Sequence, residues 1–290
     1  MILNENTILT TTPYGDFFVD TVCDQKMSSQ LVQGKHPNAA LVELAMGFVD
    51  TTSIVLDIGA HIGTFAIPVS HFAASVIAFE PSPDTYATLM QNVTQNNRSV
   101  AVRNHALGAR EERRSMVERS AHNAGAHTLV AGDDIAVYML DQQVPHADFI
   151  KMDVEGMEAE VLFGGVALIE RSRPVVFFEL NLSQLRAHGS SPRVLEQFFA
   201  RRGYRLFLPI EKTEGTYELA RVRSLTLLAA LIAPRAWFFH SPSAPFDILA
   251  VPKESTRAYQ VRGAGYAAMY AIQNNLTLKI RRVARWFTRV

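Results

Sequence analysis

The sequence predicts an α/β fold in which a mostly parallel β-sheet is covered by helices on both faces. Its middle part alternates short, β-branched apolar runs with amphipathic segments of helical periodicity. The apolar runs are continuous, which is typical of strands that are buried on both faces. Such sheets bind ligands at the carboxyl ends of their strands, so the residues that follow each strand are the functional candidates.

The predicted elements alternate along the chain. Strands are predicted at 53–57, 75–80, 99–104, 147–152, 174–180 and 246–251. Helices are predicted at 62–71, 84–96, from about 157, and at 192–202. Around this core we expect an extension at 1–50 with a hairpin and a helix, a main domain at 51–255 with a polar, irregular insertion at 108–146, and a helical tail at 256–290.

Composition excludes several classes of protein. The 290 residues carry 28 basic and 28 acidic side chains, and zero net charge argues against a nucleic-acid partner. Cys23 is the single cysteine, which excludes an intrachain disulfide and favours a reducing, cytoplasmic compartment. The start lacks a secretory pattern, and the longest apolar run, 225–233, predicts a buried helix rather than a membrane span.

The strongest motif is DIGAHIG at 57–63, between the first core strand and a helix. Gly59 allows a sharp turn and close approach of a ligand, and Gly63 allows tight packing of the helix start, whose free N–H groups favour polar ligands. Glu80 ends the next strand, where an acid can accept both ribose hydroxyls. Together these residues predict a nucleoside-binding unit.

Asp57 bears on which nucleoside cofactor is bound. Its carboxylate would repel the pyrophosphate of a dinucleotide and attract an ammonium or sulfonium group. S-adenosylmethionine has both cationic groups and a ribose for Glu80, so it is the predicted cofactor.

The later strand ends carry further polar residues. Asn104, Ala106 and Leu107 follow the third strand, where they would lie against adenine. Asp153 and Glu155 follow the fourth strand and Glu179 ends the fifth. Converging carboxylates are costly without a cation, a proton or a polar substrate, so they mark the reacting end of the site. Glu158 is instead assigned to the start of a helix.

Five segments taken in order resemble one family: VLDIGAHIGTFA, FEPSP, NHALG, DFIKMDVEGMEAEVLFG and VVFFELN. Over about residues 13 to 252 the chain is similar to the FkbM family of S-adenosylmethionine-dependent methyltransferases. The resemblance implies a seven-stranded, Rossmann-like class I methyltransferase fold and methylation of hydroxyls on sugars or other natural products. It implies cofactor contacts by Asp57, Gly59, Ala60, His61, Gly63, Thr64, Glu80, Pro81, Ser82, Asn104, Ala106, Leu107 and Asp153.

His61 departs from the family, in which many members have Asn at this position. Its ring nitrogen could replace the Asn donor, or the ring could face the acceptor. We favour a histidine that satisfies local groups over a catalytic one.

An acceptor hydroxyl is barely acidic, so a positioned base is expected. Asp153 is the first candidate, Glu155 and Glu179 are the next, and His122 in the insertion competes with them. A less favoured alternative uses Asp153, Glu179 and Asn181 as Mg²⁺ ligands.

The tail predicts an amphipathic helix, with an apolar face surrounded by basic residues: Leu276, Ile280, Val283, Phe287 and Val290 among Lys279, Arg281, Arg282, Arg285 and Arg289. We favour docking on this chain or on a second subunit, as in a homodimer, over a membrane surface.

The predicted function is therefore O-methylation of a small-molecule or glycan acceptor. The alternatives are a metal-assisted O-methyltransferase, an NAD(P)-dependent oxidoreductase and a non-catalytic nucleoside-binding module.

Overall fold

The computed structural model describes residues 6–118, 127–213, 216–232, 246–255 and 261–262. The predicted tail helix and His122 lie outside these ranges. The strands are β1 Thr7–Thr12, β2 Gly15–Asp20, β3 Ile54–Ile58, β4 Ser75–Phe79, β5 Val100–Arg103, β6 Ala106–Gly108, β7 Glu112–Glu118, β8 His127–Ala131, β9 Ile135–Met139, β10 Phe149–Met152, β11 Val175–Leu180, β12 Tyr204–Thr213, β13 Thr216–Val222, β14 Phe246–Pro252 and β15 Val261–Arg262. The helices are α1 Gln25–Val32, α2 Ala39–Met46, α3 Ala66–Val69, α4 Pro83–Gln95, α5 Leu140–Gln143, α6 Glu158–Gly164, α7 Val166–Ser172, α8 Leu182–Ala187, α9 Pro192–Arg201 and α10 Leu225–Ile232.

The central sheet has the strand order β15-β13-β12-β14-β11-β10-β3-β4-β5. Five strands are mutually parallel: β3, β4, β5, β10 and β11. Strand β12 points the same way, because β11 and β12 both pair antiparallel with β14. The Rossmann-like α/β class is therefore confirmed. The expected count of seven strands is too low, since β13 and β15 extend the sheet beyond β12.

Side chains of the central strands alternate between two hydrophobic cores. Leu56, Ile58 and Phe178 pack with the helices from α5 to α10. Val55 and Phe177 point the other way and pack with β2 and the helices from α1 to α4. Burial on both faces explains why the strands are continuously apolar in sequence, and it confirms the prediction of helices on both sides.

The N-terminal extension is a β1–β2 hairpin followed by α1 and α2. Two asparagines of α4 hold the hairpin: Asn92 accepts from the Phe18 N–H at 2.7 Å and Asn96 accepts from the Asp16 N–H at 2.9 Å. These partly buried contacts fasten the hairpin to α4, and α1 in turn packs on both hairpin strands.

The insertion at 108–146 was predicted to be irregular, but the part of it that the structure describes forms regular strands. Strands β7, β8 and β9 join β6 in a second sheet of order β6-β9-β7-β8, in which β6 pairs only with β9. Arg114 of β7 forms a two-pronged ion pair with Glu160 of α6, with a shortest distance of 2.6 Å. The His188 and Arg114 contacts lower the pKa of Glu160 to about 2, against its burial. This pairing fastens the second sheet to the main domain.

Two other expectations need correction. The helix predicted at 62–71 is reduced to the single turn α3, because Gly63 has a φ of +93° and the preceding residues form turns. The long β12–β13 hairpin was not predicted at all. Where the structure describes the chain, no helix combines the length and the apolarity needed to cross a membrane. The predicted helix at 225–233 is confirmed as α10, which buries Leu225, Leu228 and Ala229.

Candidate functional site

A cavity of about 370 Å³ opens at the carboxyl ends of β3, β4, β10 and β11. This is the position expected for ligand binding in an open parallel sheet, and the volume suits a small cofactor. Eleven of the predicted site residues line it: Gly59, Ala60, His61, Thr64, Glu80, Pro81, Ala106, Leu107, Asp153, Glu155 and Glu179. Five others that the structure describes do not line it: Asp57, Gly63, Ser82, Asn104 and Asn181.

The two glycines of the turn are required by packing. Gly59 has a φ of +77°, and a Cβ at this position would lie 1.8 Å from the Asp153 carbonyl oxygen. The close approach that we expected of a ligand at Gly59 is thus made by the main chain directly after β10. A Cβ at Gly63 would lie 2.7 Å from Leu89 of α4, which confirms the tight packing predicted for the helix start.

Most main-chain amides of the turn are already engaged. Those of Gly59 and Ala60 both donate to the Phe79 carbonyl at 3.0 Å, and that of Gly63 donates to the Ala60 carbonyl. The His61 amide donates to Glu80 Oε2 at 2.9 Å. These four N–H groups hold the turn itself and are not free donors for a ligand.

Asp57 does not face the cavity. Its side chain is fully buried, and Lys151 Nζ lies 3.1 Å from its Oδ1. Lys151 also donates to the Gly59 carbonyl at 2.6 Å. The predicted direct attraction between the Asp57 carboxylate and a cationic ligand is therefore not available, because a lysine on the neighbouring strand compensates this charge. The apolar context of β10 gave Lys151 no distinctive signal in the sequence.

Glu80 lines the cavity, and main-chain hydrogen bonds hold its carboxylate. Its Oε2 accepts from the His61 amide and its Oε1 from the Ser82 amide, both at 2.9 Å. Burial raises the pKa of Glu80 to about 7, although these two hydrogen bonds lower it. Ser82 caps α4 by accepting from the Thr85 amide, so its role is structural. The carboxylate is fixed in orientation at the edge of the cavity.

The segment after β5, which includes β6, forms an apolar wall. Ala106 and Leu107 line the cavity as predicted, and both are buried. The amide of Asn104 instead donates to the Glu80 and Pro81 carbonyls, at 2.9 and 3.2 Å. Asn104 therefore fastens two loops together and does not lie on the wall. His105, which the sequence analysis passed over, lines the cavity and packs edge-on against Phe79.

Asp153, Glu155 and Glu179 converge on one cavity, as predicted from neighbouring strand ends. Burial, followed by the charges of Asp153, Glu155 and Asp247, raises the pKa of Glu179 to about 9. Glu179 therefore holds its proton at neutral pH and can donate a hydrogen bond. Glu158 starts α6 and accepts from the Gly156 amide at 3.2 Å, which confirms its assignment to a helix start.

One residue of the alternative Mg²⁺ ligand set, Asn181, does not line the cavity. Asn181 caps α8, and its Oδ1 accepts from Ser183 at 2.8 Å and from the Gln184 amide at 3.4 Å. Over the described ranges, no group of three His, Cys, Asp or Glu side chains is arranged to hold a metal ion.

The N-terminal segment supplies a wall that the sequence did not predict. Asp24, Met27, Gln30, Pro37 and Asn38 all line the cavity. His61, at a φ of +52°, places its Nε2 3.2 Å from Asp24 Oδ2. Asn38 donates to Thr64 Oγ1 at 2.9 Å. His61 thus contacts a carboxylate of the extension, a partner that local sequence could not indicate.

Comparison with known proteins identifies relatives of this chain. It is 28% identical over 134 residues to the hexuronic acid methyltransferase AglP of Haloferax volcanii, covering 43% of this chain and 54% of that protein. The chain thus spans about half the length of this curated relative.

Two solved structures are similar at low identity. A methyltransferase FkbM from Methylobacillus flagellatus KT is 22% identical, covering 45% of this chain and 33% of that one, with a TM-score of 0.34. The M. jannaschii tRNA m1G37 methyltransferase is 10% identical, covering 87% of this chain and 56% of that one, with a TM-score of 0.46.

The family comparison is the most direct. Residues 57–206, just over half of the chain, match the methyltransferase FkbM domain. This match contains the glycine turn, Glu80, the wall after β5 and the carboxylates that follow β10 and β11. The chain belongs to the FkbM methyltransferase family.

Proposed function

We propose that this protein is an S-adenosylmethionine-dependent O-methyltransferase whose acceptor is a hydroxyl of a sugar or a related small molecule. The observation that carries the proposal is the Glu80 carboxylate, held by the His61 and Ser82 amides on the same cavity as Asp153. A fixed carboxylate at the end of the second core strand is suited to the two hydroxyls of a ribose.

The cavity wall fits the parts of this cofactor in order. Glu80 would hold the ribose, and Ala106 and Leu107 would pack on adenine. The turn from Gly59 to His61 would border the methionine end. When bound, S-adenosylmethionine supplies a methyl group on a sulfonium that is open to displacement by a nucleophile.

Asp153 would accept the proton of the acceptor hydroxyl. It follows the buried strand β10, and its main-chain N–H donates to the Ile58 carbonyl at 2.9 Å, which fixes its backbone beside the turn. Glu179 holds a proton and is suited to orient the acceptor by donation. A positioned base contributes about 10²–10⁴ in rate. Holding the acceptor in line contributes further through proximity.

A sugar acceptor is supported by the relative named as a hexuronic acid methyltransferase. The cavity is also bordered by hydroxyl-binding side chains, including Gln30, Asn38 and Thr64. Such groups can exchange hydrogen bonds with a polyol.

Two measurements test the proposal. Isothermal titration should detect binding of S-adenosylhomocysteine and none of NADH. Radiolabelled S-adenosylmethionine should then transfer its methyl group to one or more members of a panel of hexuronic acids, neutral hexoses and phenols. Binding of NADH alone would favour an oxidoreductase. Binding of S-adenosylhomocysteine without transfer to any acceptor would favour a non-catalytic module, and loss of transfer in excess chelator would indicate metal assistance.

A further inference from the structure

The cavity presents one strongly basic side chain among several acids. Of the described residues that line it, Lys151 is the only lysine or arginine, while Asp153, Glu155 and Glu179 are acids. Lys151 is 5% exposed, and among the fully described side chains it is the only lysine or arginine in the buried set. A buried ammonium must be paired and hydrogen-bonded to be tolerated.

Two of the three ammonium protons of Lys151 are accounted for. One bond goes to the Gly59 carbonyl at 2.6 Å, and one contact goes to Asp57 Oδ1 at 3.1 Å. An ammonium has three donors and no acceptor. The third donor therefore has no assigned acceptor among the described residues, although Lys151 lies on the cavity wall.

Four main-chain donors of the turn are already occupied. The amides of Gly59, Ala60, His61 and Gly63 are bonded within the protein, so they cannot receive an anionic group without losing those bonds. A carboxylate entering beside residues 59–61 would therefore need a donor other than these amides. Lys151 reaches the turn directly through the Gly59 carbonyl.

We infer that Lys151 binds the methionine carboxylate of the cofactor through its third ammonium proton, an inference that rests on the proposed function. The amino-acid end of the cofactor is a zwitterion, and Lys151 on the cavity wall complements its carboxylate. The paired Asp57 helps to keep Lys151 charged and in place: burial lowers the pKa of Lys151, but Asp57, Asp153 and Glu80 together raise it above its ordinary value. Asp57 is then a positioning residue that acts through Lys151.

The test compares two ligands that differ only in this carboxylate: S-adenosylhomocysteine and its decarboxylated analogue, adenosyl-thiopropylamine. Titration calorimetry gives the ratio of their dissociation constants. Because a charge-assisted hydrogen bond is involved, we expect the wild-type protein to bind S-adenosylhomocysteine about 10- to 100-fold more tightly than the analogue.

Substitution of Lys151 alone would leave the Asp57 carboxylate buried without its partner. The matched pair is therefore Asp57→Asn and Asp57→Asn/Lys151→Met, which both lack that charge. We expect the preference for the carboxylate to persist in Asp57→Asn and to fall by at least about tenfold in the double variant. Lys151→Gln replaces Lys151→Met if the first double variant does not fold, as judged by its thermal melting transition.

The outcomes are separable. The role of Lys151 is overturned if the wild-type protein binds both ligands equally. It is also overturned if the two variants prefer S-adenosylhomocysteine over the analogue to the same degree. Either result leaves the proposed function intact. A wild-type protein that binds neither ligand overturns both.

Discussion

The His61 imidazole lies 3.2 Å from the Asp24 carboxylate and thereby joins the glycine turn to the N-terminal extension. His61 is part of the turn through its amide bond to Glu80, and Asp24 caps α1 by accepting from the Met27 amide. One side-chain pair thus links the expected cofactor turn to the helix that borders the opposite wall of the cavity.

This pair predicts energetic coupling between Asp24 and His61. Asp24→Asn keeps the helix cap, because Asn caps as well as Asp does, but it removes the charge that faces His61. In a double-mutant cycle with His61→Asn, we expect a coupling of about 1 kcal/mol in the free energy of unfolding. Urea denaturation measures it. Strictly additive losses would mean that the two side chains do not stabilise each other.

Glu80→Ala should weaken binding of S-adenosylhomocysteine by about 10- to 100-fold, because hydrogen bonds to a charged acceptor contribute about 1.5–3 kcal/mol. Calorimetric titration measures the change. Glu111→Ala is the matched control, since Glu111 is an exposed glutamate outside the cavity. An unchanged affinity in Glu80→Ala would refute the ribose assignment.

Asp153→Asn should lower kcat by about 10²–10⁴ with little change in affinity for S-adenosylhomocysteine, because the substitution removes a base but retains the size of the side chain. The measurement uses whichever panel acceptor is methylated. Glu155→Gln serves as the comparison, as its carboxyl group lines the same cavity. If affinity falls while kcat is preserved, Asp153 belongs to cofactor binding and not to proton transfer.

Gly59→Ala should destabilise the protein more than Gly34→Ala. Both glycines have positive φ angles, +77° and +71°, so both substitutions carry a backbone cost. At Gly34 nothing lies within 4 Å of the added Cβ, whereas at Gly59 the Asp153 carbonyl oxygen lies at 1.8 Å. We expect an additional loss of about 1–3 kcal/mol at Gly59. Equal losses in thermal or urea denaturation would show that β10 can move away from the turn at no cost.

Glu179 predicts a decline of stability with rising pH. Its pKa is raised to about 9 in the folded protein, so the folded state holds a proton that the unfolded state releases near pH 4.5. The favourable contribution of protonated Glu179 to the free energy of unfolding is fully present below pH 4.5, and it is lost as the pH rises toward 9. Glu179→Gln should therefore be more stable than the wild type at pH 8, by about 1–3 kcal/mol, with a flatter pH dependence. A parallel pH dependence in the two proteins would contradict the assignment.

Local sequence was sufficient for much of the site. Motif spacing and the family resemblance together selected eleven residues that line one cavity. This succeeds because parallel strands bring their carboxyl ends to one edge of the sheet, whatever the length of the chain between them. The insertion was misjudged because β7 is mostly polar, and the pairing of β7 and β8 depends on partners rather than on composition.

The sequence by itself determined the α/β class, the order of the motifs and the place of the carboxylates at the strand ends, since these follow from periodicity and from residues adjacent in the chain. Only the tertiary structure decided which charges face one another. Lys151 compensates Asp57 from a neighbouring strand, and Asp24 reaches His61 from the N-terminal extension. Both pairings join residues distant in sequence, and the energy of a buried charge depends on the partner that folding brings within about 3 Å of it.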